Sequence, residues 1–403
     1  MIPLLAFSTI ASFPSSRPTN RAFTSEIIES VISEITSIIK DPILSTTFTN
    51  SFPNTLDTTV HYEYDQITKK PDTFVITGDI PAMWLRDSTN QVLPYIQFAN
   101  QDKKLRLMIL GLINRQVRNV NIDAYANAFN KNDSVSSPNR YDITTKIADG
   151  KKVNAMNNNL WERKYEIDSV AAVLKLANQF FESTNDSSFI DEDFLNALVK
   201  ILKLIDEQSL GTLDEDKNGY PPYTFLRKTE QPTDSTIHGR GSPSKTCGLV
   251  KSYFRPSDDA CLLPFNIPGN AMLSVELKKT SEMLNKVGKG AEIMKKMRAK
   301  SEEIESAIYS RGVLKGANFE KYFAYEIDGF SSSYFMDDAN VPSLLSLPLL
   351  GFIPFSHPLY VATRKKVLSD SNPYFYEGKA GYGVGGPHNG DGYIWPMSII
   401  GNK

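Results

Sequence analysis

Hydrophobic residues recur at helical spacing along most of the chain. In the segment FTSEIIESVISEITSIIK, isoleucine and valine follow the i, i+3, i+4, i+7 pattern of an amphipathic helix, which the Asp41-Pro42 pair should end. Polar connections that carry Gly or Pro separate further stretches with the same period. This periodicity predicts helices at about 88–99, 102–119, 161–182, 189–207, 270–286, 290–310, 337–350 and 357–369.

The connections between the predicted helices are of very uneven length. The long ones hold much of the Gly, Pro, Asn, Asp and aromatic content, and compact domains carry such loops mainly as binding or catalytic surfaces. Alternating aromatic and polar residues in HYEYDQ and YFAYEIDGFSSSYF predict local β-hairpins within them. Without a linker or a regular repeat, the pattern favours one all-α domain, a barrel or toroid. The long connections lie around 121–160, 208–269, 311–336 and 370–393.

Composition and charge exclude several classes of protein. The chain has 403 residues, a formal net charge of -2 and no basic segment, so nucleic acid is not an expected partner. No stretch approaches the roughly 18 apolar residues of a membrane span. The two cysteines, Cys247 and Cys261, are too few for a disulfide-built fold, and either one bridge or two buried thiols is compatible with them.

The first residues leave the compartment open. Residues 1–14 are apolar but lack a basic segment, so they form a leader or a weak secretory signal at most. Asn132 and Asn185 each begin an Asn-Asp-Ser triplet, which would accept a glycan in the secretory pathway. Secretory, extracellular and cytoplasmic locations therefore all stay open, and we expect a monomer.

All three tryptophans stand beside charged or turn-forming residues. They are Trp84 in MWLRDS, Trp161 in LWERKYEIDS and Trp395 in YIWPMS. A tryptophan face can stack on the apolar face of a sugar ring while charged neighbours bind the hydroxyl groups. Burial in the hydrophobic core is the alternative for each of them.

Charged residues next to the first two tryptophans are candidate ligands for hydroxyl groups. Arg86 and Asp87 would form a clamp for neighbouring hydroxyls, although Asp87 could instead cap a helix. Glu162 and Glu166 are four residues apart, so a helix would place both on one face near Trp161 and Tyr165. A solvated, salt-bridged helix face is the alternative interpretation of that segment.

The segment SYFRPSDDACLLPFNIPGNA holds the strongest candidate for acid catalysis. Arg255 and the proline after it predict a turn that presents the adjacent carboxylates Asp258 and Asp259 before an apolar stretch. Two neighbouring carboxylates repel each other, so one can stay protonated near neutral pH and act as a general acid. The alternative is a helix that begins at Ser257 with acidic residues in its first turn.

The last glycine-rich segment, GKAGYGVGGPHNGDGYIWPMS, predicts a loop that lines a binding pocket. Its glycines permit close backbone approach around His388, Asp391 and Trp395, and it lacks the ending of a phosphate loop. The four histidines are far apart in sequence and no nucleophile elbow is present, so neither a metal site nor a Ser-His-Asp triad is predicted. Paired carboxylates remain as the chemistry.

Six segments together resemble family 125 of the glycoside hydrolases. They follow one another in the family's order from about residue 15 to residue 400: TGDIPAMWLRDSTNQVLPY, DAYANAFN, WERKYEIDS, FRPSDDA, MDDANVPSLLSLPLLGF and GPHNGDGYIWPMS. The resemblance implies an (α/α)6 barrel in a single domain over 15–403, with small β-hairpins in its loops. It also implies an exo-α-1,6-mannosidase that inverts the anomeric carbon, binds a mannose-containing oligosaccharide or glycan, and needs no metal or other cofactor.

The resemblance assigns roles to particular residues. It implies that the general acid is Asp258 or Asp259, and that the mannose pocket is formed by the MWLRDS segment, the WERKYE segment and the loop from His388 to Trp395. The family's general base belongs to a His-Glu-Ser motif, and these 403 residues contain no such motif. We therefore expect the base and the last helices of the barrel to be absent from this chain. A mannoside-binding protein without turnover is the alternative function.

Overall fold

The computed structural model describes residues 16–134, 142–217, 221–230, 232–316, 319–379, 381–396 and 398. The predicted leader, residues 1–14, lies outside the described residues. Helices provide most of the regular structure. In chain order they are α1 (Glu26–Ile38), α2 (Pro42–Ser51), α3 (Asn54–Thr58), α4 (Leu85–Ile96), α5 (Lys103–Ile122), α6 (Ile167–Thr184), α7 (Glu192–Gln208), α8 (Thr212–Lys217), α9 (Ile267–Val287), α10 (Ala291–Arg311) and α11 (Pro358–Val367).

The strands are short and form small antiparallel sheets in the connections between helices. Both predicted hairpins are confirmed, the first as β1 with β2 and the second within β11 to β13. The strands are β1 (Val60–Asp65), β2 (Lys70–Val75), β3 (Met83–Trp84), β4 (Ala128–Phe129), β5 (Ile143–Ala148), β6 (Lys151–Asn154), β7 (Leu160–Glu162), β8 (Thr224–Leu226), β9 (Phe265–Asn266), β10 (Val313–Lys315), β11 (Lys321–Phe323), β12 (Glu326–Ile327), β13 (Ser333–Tyr334), β14 (Phe375–Gly378) and β15 (Gly381–Val384).

The Asp41-Pro42 pair separates the first two helices. It ends α1 as predicted, and Asp41 then caps α2 by accepting hydrogen bonds from the backbone N–H groups of Ile43 and Leu44. Proline at the first position of α2 has no N–H to leave unsatisfied. The periodicity missed α2 because this helix has no buried residue and hence no apolar stripe.

Helices α4, α5, α6, α7, α9 and α10 pack side by side around one hydrophobic core. Helix α6 is the most enclosed, since α4 lies on one side of it and α9 on another. Gly269 lets α9 approach α6 closely, because a Cβ atom there would lie 2.4 Å from Cγ2 of Ile167. This contact fixes the start of α6, which carries residues of the site described below.

Two helix predictions were wrong. Residues 337–350 form successive turns, because Pro342 and Pro348 cannot donate the hydrogen bonds of a helix. The carboxylate of Asp337 accepts instead, at 2.7 Å from Leu344 N and 3.0 Å from Leu345 N. The helix predicted from residue 161 begins only at residue 167, and β7 precedes it. Among the described helices, none is both long and apolar enough to cross a membrane.

Candidate active site

Two tryptophans meet where three short strands pair. Strand β4 pairs with β3 on one side and β7 on the other, which brings Trp84 and Trp161 together. Their ring centroids are 6.5 Å apart and the planes cross at 60°, an edge-to-face contact. The two rings form one wall of a cavity of about 500 Å³, named here the tryptophan cavity. It is lined by Ile80, Trp84, Trp161, Glu162, Lys164, Arg227, Thr233, Asp234, Asp258, Asp259, Pro387 and His388.

Beneath the tryptophan cavity, one guanidinium group faces four carboxylates. Arg86 Nη1 lies 2.7 Å from Glu166 Oε2 and 3.1 Å from Asp168 Oδ2. Its Nη2 lies 3.5 Å from Asp258 Oδ1 and 3.4 Å from Asp87 Oδ2. These five residues are called the Arg86 cluster below. One positive charge among four carboxyl groups favours retention of at least one proton.

Three separate segments position the Arg86 cluster. Arg86 lies in the first turn of α4, directly after β3, and Glu166 is the residue before α6. Asp258 lies in a turn in which its own N–H donates to the carbonyl of Arg255. Its φ of +70° is in the left-handed region, which aspartate tolerates better than most residues. Such backbone conformations are concentrated at functional sites.

Glu166 and Asp258, two members of the Arg86 cluster, differ in side-chain exposure and in the direction of their pKa shift. The side chain of Glu166 is fully buried, and burial raises its pKa well above the usual value. Asp258 is the most open member, with 37% of its side chain exposed. Burial tends to raise the pKa of Asp258, but Arg86 and a hydrogen bond with Glu166 outweigh it and hold the pKa below its usual value.

Asp259 is held differently from its neighbour Asp258. It is buried and accepts a hydrogen bond from Ser257 Oγ at 2.9 Å, and His388 Nδ1 lies 3.9 Å from its other oxygen. The interaction with Asp259 raises the pKa of His388. Burial tends to raise the pKa of Asp259, but His388 and Ser257 contribute to a net lowering. The helix predicted as an alternative to begin at Ser257 is not present.

Another part of the lining of the tryptophan cavity is a network of ion pairs. Arg227 binds both oxygens of Asp142 at 2.7 Å, and its Nη2 lies 2.7 Å from Glu162 Oε2. Its Nη1 lies 3.1 Å from Asp234 Oδ2. Buried Lys164 pairs with Asp234 as well, and its Nζ donates to the carbonyl oxygen of Asp258 at 3.1 Å. This wall therefore connects directly to the turn that carries Asp258.

The structure brings together most, but not all, of the residues predicted for the site. Glu162 and Glu166 do not share a helix face, because Glu162 belongs to β7; Asn127 nevertheless connects them, with Nδ2 at 2.8 Å and 3.4 Å from their Oε1 atoms. The guanidinium group of Arg86, predicted to clamp hydroxyls together with Asp87, is buried and contacts carboxyl groups, and the clamp stays a prediction. Asp87 does not cap a helix, because α4 begins two residues earlier.

Seven of the eleven predicted sugar ligands lie outside the cavity lining. Three of them, Arg86, Asp87 and Glu166, belong to the Arg86 cluster, and the other four are Tyr165, Arg255, Asp391 and Trp395. Tyr165 is buried among other tyrosines of the core, with its ring 5.3 Å from that of Tyr125. Arg255 is also buried, and its Nε donates to Glu326 Oε1 at 2.6 Å. Asp391 and Trp395 lie further along the loop that brings His388 to the cavity, and neither reaches the lining. These four were predicted from the segments that resemble the family, and their contact with a sugar stays a prediction.

Several lining residues escaped the sequence analysis. Arg227 and Asp234 come from a long connection without periodicity, more than 60 residues after β7 in the chain. Their charged side chains are brought to β7 only by folding. The only signal in the sequence was the presence of Arg227 and Asp234 in the segment FLRKTEQPTD of a long connection. Charged residues are too common in such connections to identify a site. Among the residues that the structure describes, no cluster of His, Cys, Asp or Glu could hold a metal ion.

Sequence comparison decides the family. Residues 41–403 match the sequence model of the family described as metal-independent α-mannosidase, GH125. This chain belongs to the GH125 family. It is 42% identical over 399 residues to the meiotically up-regulated gene 157 protein of Schizosaccharomyces pombe, an alignment that covers 96% of this chain and 76% of that protein.

A solved structure of the GH125 family supports the same assignment. The Streptococcus pneumoniae protein, crystallised as a non-productive complex with α-1,6-mannobiose, superposes with a TM-score of 0.85 at 35% identity. The superposition covers 94% of this chain and 85% of that one. The predicted family and the predicted (α/α)6 fold are thereby confirmed, and the chain is a glycosidase of the α-mannosidase class.

Proposed function

We propose that this protein removes α-1,6-linked mannose from the non-reducing end of a glycan, with inversion at the anomeric carbon. Membership of the α-mannosidase family supports the general reaction. The linkage is supported by the α-1,6-mannobiose bound to the related Streptococcus pneumoniae protein. In this chain the proposal depends on one observation: a carboxyl group, Asp258, opens into a cavity that has a tryptophan wall and an ionic wall.

We assign the general acid to Asp258 rather than Asp259. Asp258 has 37% of its side chain exposed and can reach a ligand in the tryptophan cavity. Asp259 is 2% exposed and is held by Ser257 and His388. A general acid must come within hydrogen-bond reach of the oxygen it protonates, which favours the more open of the two carboxyl groups.

The walls of the tryptophan cavity suit a sugar. Trp84 and Trp161 offer apolar ring surface for the C–H face of a mannose ring. Glu162, Asp234 and Arg227 line the same cavity and can exchange hydrogen bonds with hydroxyl groups.

Inversion requires a second carboxylate, about 6.5–9.5 Å from the acid, to activate water. The family resemblance assigns that role to a His-Glu-Ser motif, which these 403 residues do not contain. Binding and turnover therefore have to be measured separately. Calorimetry with α-1,6-mannobiose measures binding, and proton NMR of the first product measures turnover and anomeric configuration, with β-mannose expected.

The linkage and the acid are tested together. α-1,6-Mannobiose should be hydrolysed faster than the α-1,2 and α-1,3 isomers, and Asp258→Asn should lower that rate by about 10²–10⁴-fold. Asp206→Asn, a change at an exposed carboxylate of α7, is the matched control and should keep full activity. Binding without turnover would instead make this chain a mannoside-binding protein, and α-mannose as first product would rule out inversion.

A further inference from the structure

The turn that carries the proposed acid has a backbone conformation that few residues other than glycine adopt. Asp258 has a φ of +70°, in the left-handed region that L side chains rarely occupy. Such a conformation persists only where its surroundings fix it. The direction of the Asp258 side chain depends on this conformation, because the Cβ atom follows the backbone.

Two backbone hydrogen bonds close the turn, and neither uses the carbonyl oxygen of Asp258. The N–H of Asp258 donates to the carbonyl oxygen of Arg255 at 2.9 Å, and the N–H of Arg255 donates to the carbonyl oxygen of Asp259 at 2.8 Å. The carbonyl oxygen of Asp258 belongs to the peptide plane between the two aspartates. That plane sets ψ of Asp258, so a partner for this oxygen fixes the second backbone angle of the proposed acid.

The partner of this oxygen is the ammonium group of Lys164, the second residue after β7. Its Nζ donates to the carbonyl oxygen of Asp258 at 3.1 Å and binds the carboxylate of Asp234. The ring of Phe254 lies against the same nitrogen, with its centroid at 4.8 Å. An ammonium group has three N–H donors, and two oxygens and one ring face account for them. Because Lys164 is also only 2% exposed, it acts through these neighbours and not by binding a substrate.

The backbone of Lys164 is fixed as well, so its ammonium group starts from a defined position. Asn127, the residue before β4, accepts a hydrogen bond from the N–H of Lys164 at 3.1 Å. Its Nδ2 donates to Glu162, the last residue of β7, at 2.8 Å. The turn of Asp258 is therefore connected through one side chain to the short strands that carry the two tryptophans.

We propose that Lys164 is a positioning residue, which holds the carbonyl oxygen of Asp258 and so keeps the carboxyl group of the proposed acid directed into the tryptophan cavity. This inference rests on the proposed function. A general acid works only within hydrogen-bond reach of the oxygen that it protonates, so a change in this turn impairs proton delivery more than sugar binding. The loss of Lys164 should therefore be largest with a substrate whose leaving group needs a proton.

The variant Lys164→Met tests this role. It removes the ammonium group and keeps an unbranched side chain of similar length against the ring of Phe254. Asp234 keeps a cation in this variant, because Arg227 Nη1 lies 3.1 Å from its Oδ2. The substitution therefore leaves no carboxylate without a positive partner, and we expect the variant to fold.

The matched control is Lys251→Met. Lys251 is also buried, pairs with the carboxylate of Glu215 and lies outside the lining of the tryptophan cavity. Glu215 likewise keeps an arginine, since Arg240 Nη2 lies 3.0 Å from its Oε2. The two variants lose similar ion pairs, and only Lys164→Met also frees the carbonyl oxygen of Asp258.

A comparison of leaving groups separates proton delivery from a merely structural effect. Lys164→Met should lower kcat/KM for α-1,6-mannobiose about 10²-fold, because general acid assistance is lost. Hydrolysis of 2,4-dinitrophenyl α-mannoside should fall less than about threefold, since its leaving group departs without protonation. Calorimetry should find that binding of α-1,6-mannobiose changes less than about threefold, because the walls of the cavity are kept. Lys251→Met should leave the ratio of the two rates unchanged.

Crystal structures of both variants observe the turn without any enzymatic activity. Asp258 should leave the left-handed region in Lys164→Met and keep its φ near +70° in Lys251→Met. An unchanged Asp258 carboxyl group in Lys164→Met would overturn the positioning role and leave the proposed function intact. Equal losses with both substrates, or no loss with either, would overturn it as well. A wild-type protein that hydrolyses neither substrate would overturn the proposed function, and the crystal structures would still report separately on Lys164.

Discussion

The guanidinium group of Arg227 lies 2.7 Å from the carboxylate of Glu162 and closes one wall of the tryptophan cavity. The same guanidinium neutralises Asp142, which is almost fully buried. Arg227→Ala would leave these carboxylates without their cation, so we expect a loss of about 3 kcal/mol in the free energy of unfolding. Denaturant titration measures it. Arg298→Ala, at an exposed pair on α10, should change stability by less than about 0.5 kcal/mol, and equal losses would contradict the prediction.

The interaction between His388 and Asp259 should make the edge of the cavity sensitive to pH. Asp259 raises the pKa of His388 above its ordinary 6.5. The stabilisation is therefore fully present below pH 6.5 and is lost as the pH rises through the raised pKa. Proton NMR of the histidine rings should show His388 titrating above pH 6.5, and Asp259→Asn should lower its midpoint. A midpoint unchanged by that substitution would show that Asp259 does not hold the charge.

The packing of α5 on β2 depends on Gly111. A Cβ atom at this position would lie 2.5 Å from Thr73 Oγ1 and 3.0 Å from the carbonyl carbon of Asp72. Gly111→Ala should therefore push the helix from the hairpin and reduce the free energy of unfolding by about 1–3 kcal/mol. In Gly378→Ala the new Cβ would meet its nearest atom only at 3.9 Å. That control should be nearly neutral in thermal unfolding, and a similar loss in both variants would count against close packing at Gly111.

The two tryptophans of WERKYE and YIWPMS should differ in their effect on sugar binding. Trp161 lines the tryptophan cavity, whereas Trp395 does not. Trp161→Ala should weaken binding of α-1,6-mannobiose by about tenfold, or ~1.4 kcal/mol, through loss of ring contact. Calorimetry should find Trp395→Ala close to wild type. A larger effect at Trp395 would restore the assignment of that loop to the sugar pocket.

The sequence predicted the scaffold better than the short elements within it. Long apolar periodicity identified α1, α5, α6, α7, α9 and α10, because packing against a core imposes that spacing. It failed at residues 161–166, where the last two residues of β7 and the irregular residues after them were read as the start of a helix. A strand of that length has no period of its own, and the charges of WERKYE matched i, i+4 spacing by coincidence.

The site was predictable where adjacent residues share one surface and not where distant segments meet. Trp84 with its charged neighbours and the Asp258-Asp259 pair were found as local clusters. Arg227 was not, because its partners Asp142 and Glu162 are 85 and 65 residues away along the chain. The burial of Tyr165 and Arg255 also depends on packing that no local pattern reports.

From Glu162, the last residue of β7, to Lys164, successive side chains point to alternate sides. Glu162 and Lys164 line the tryptophan cavity, while Arg163 between them binds Asp123 and lies against the ring of Tyr125. Deletion or insertion of one residue here would exchange the two sides. This short segment therefore cannot change its length without losing the site, whereas the exposed turn between β5 and β6 can. We therefore expect insertions and deletions among family members in the turn between β5 and β6, and not in the segment from Glu162 to Lys164.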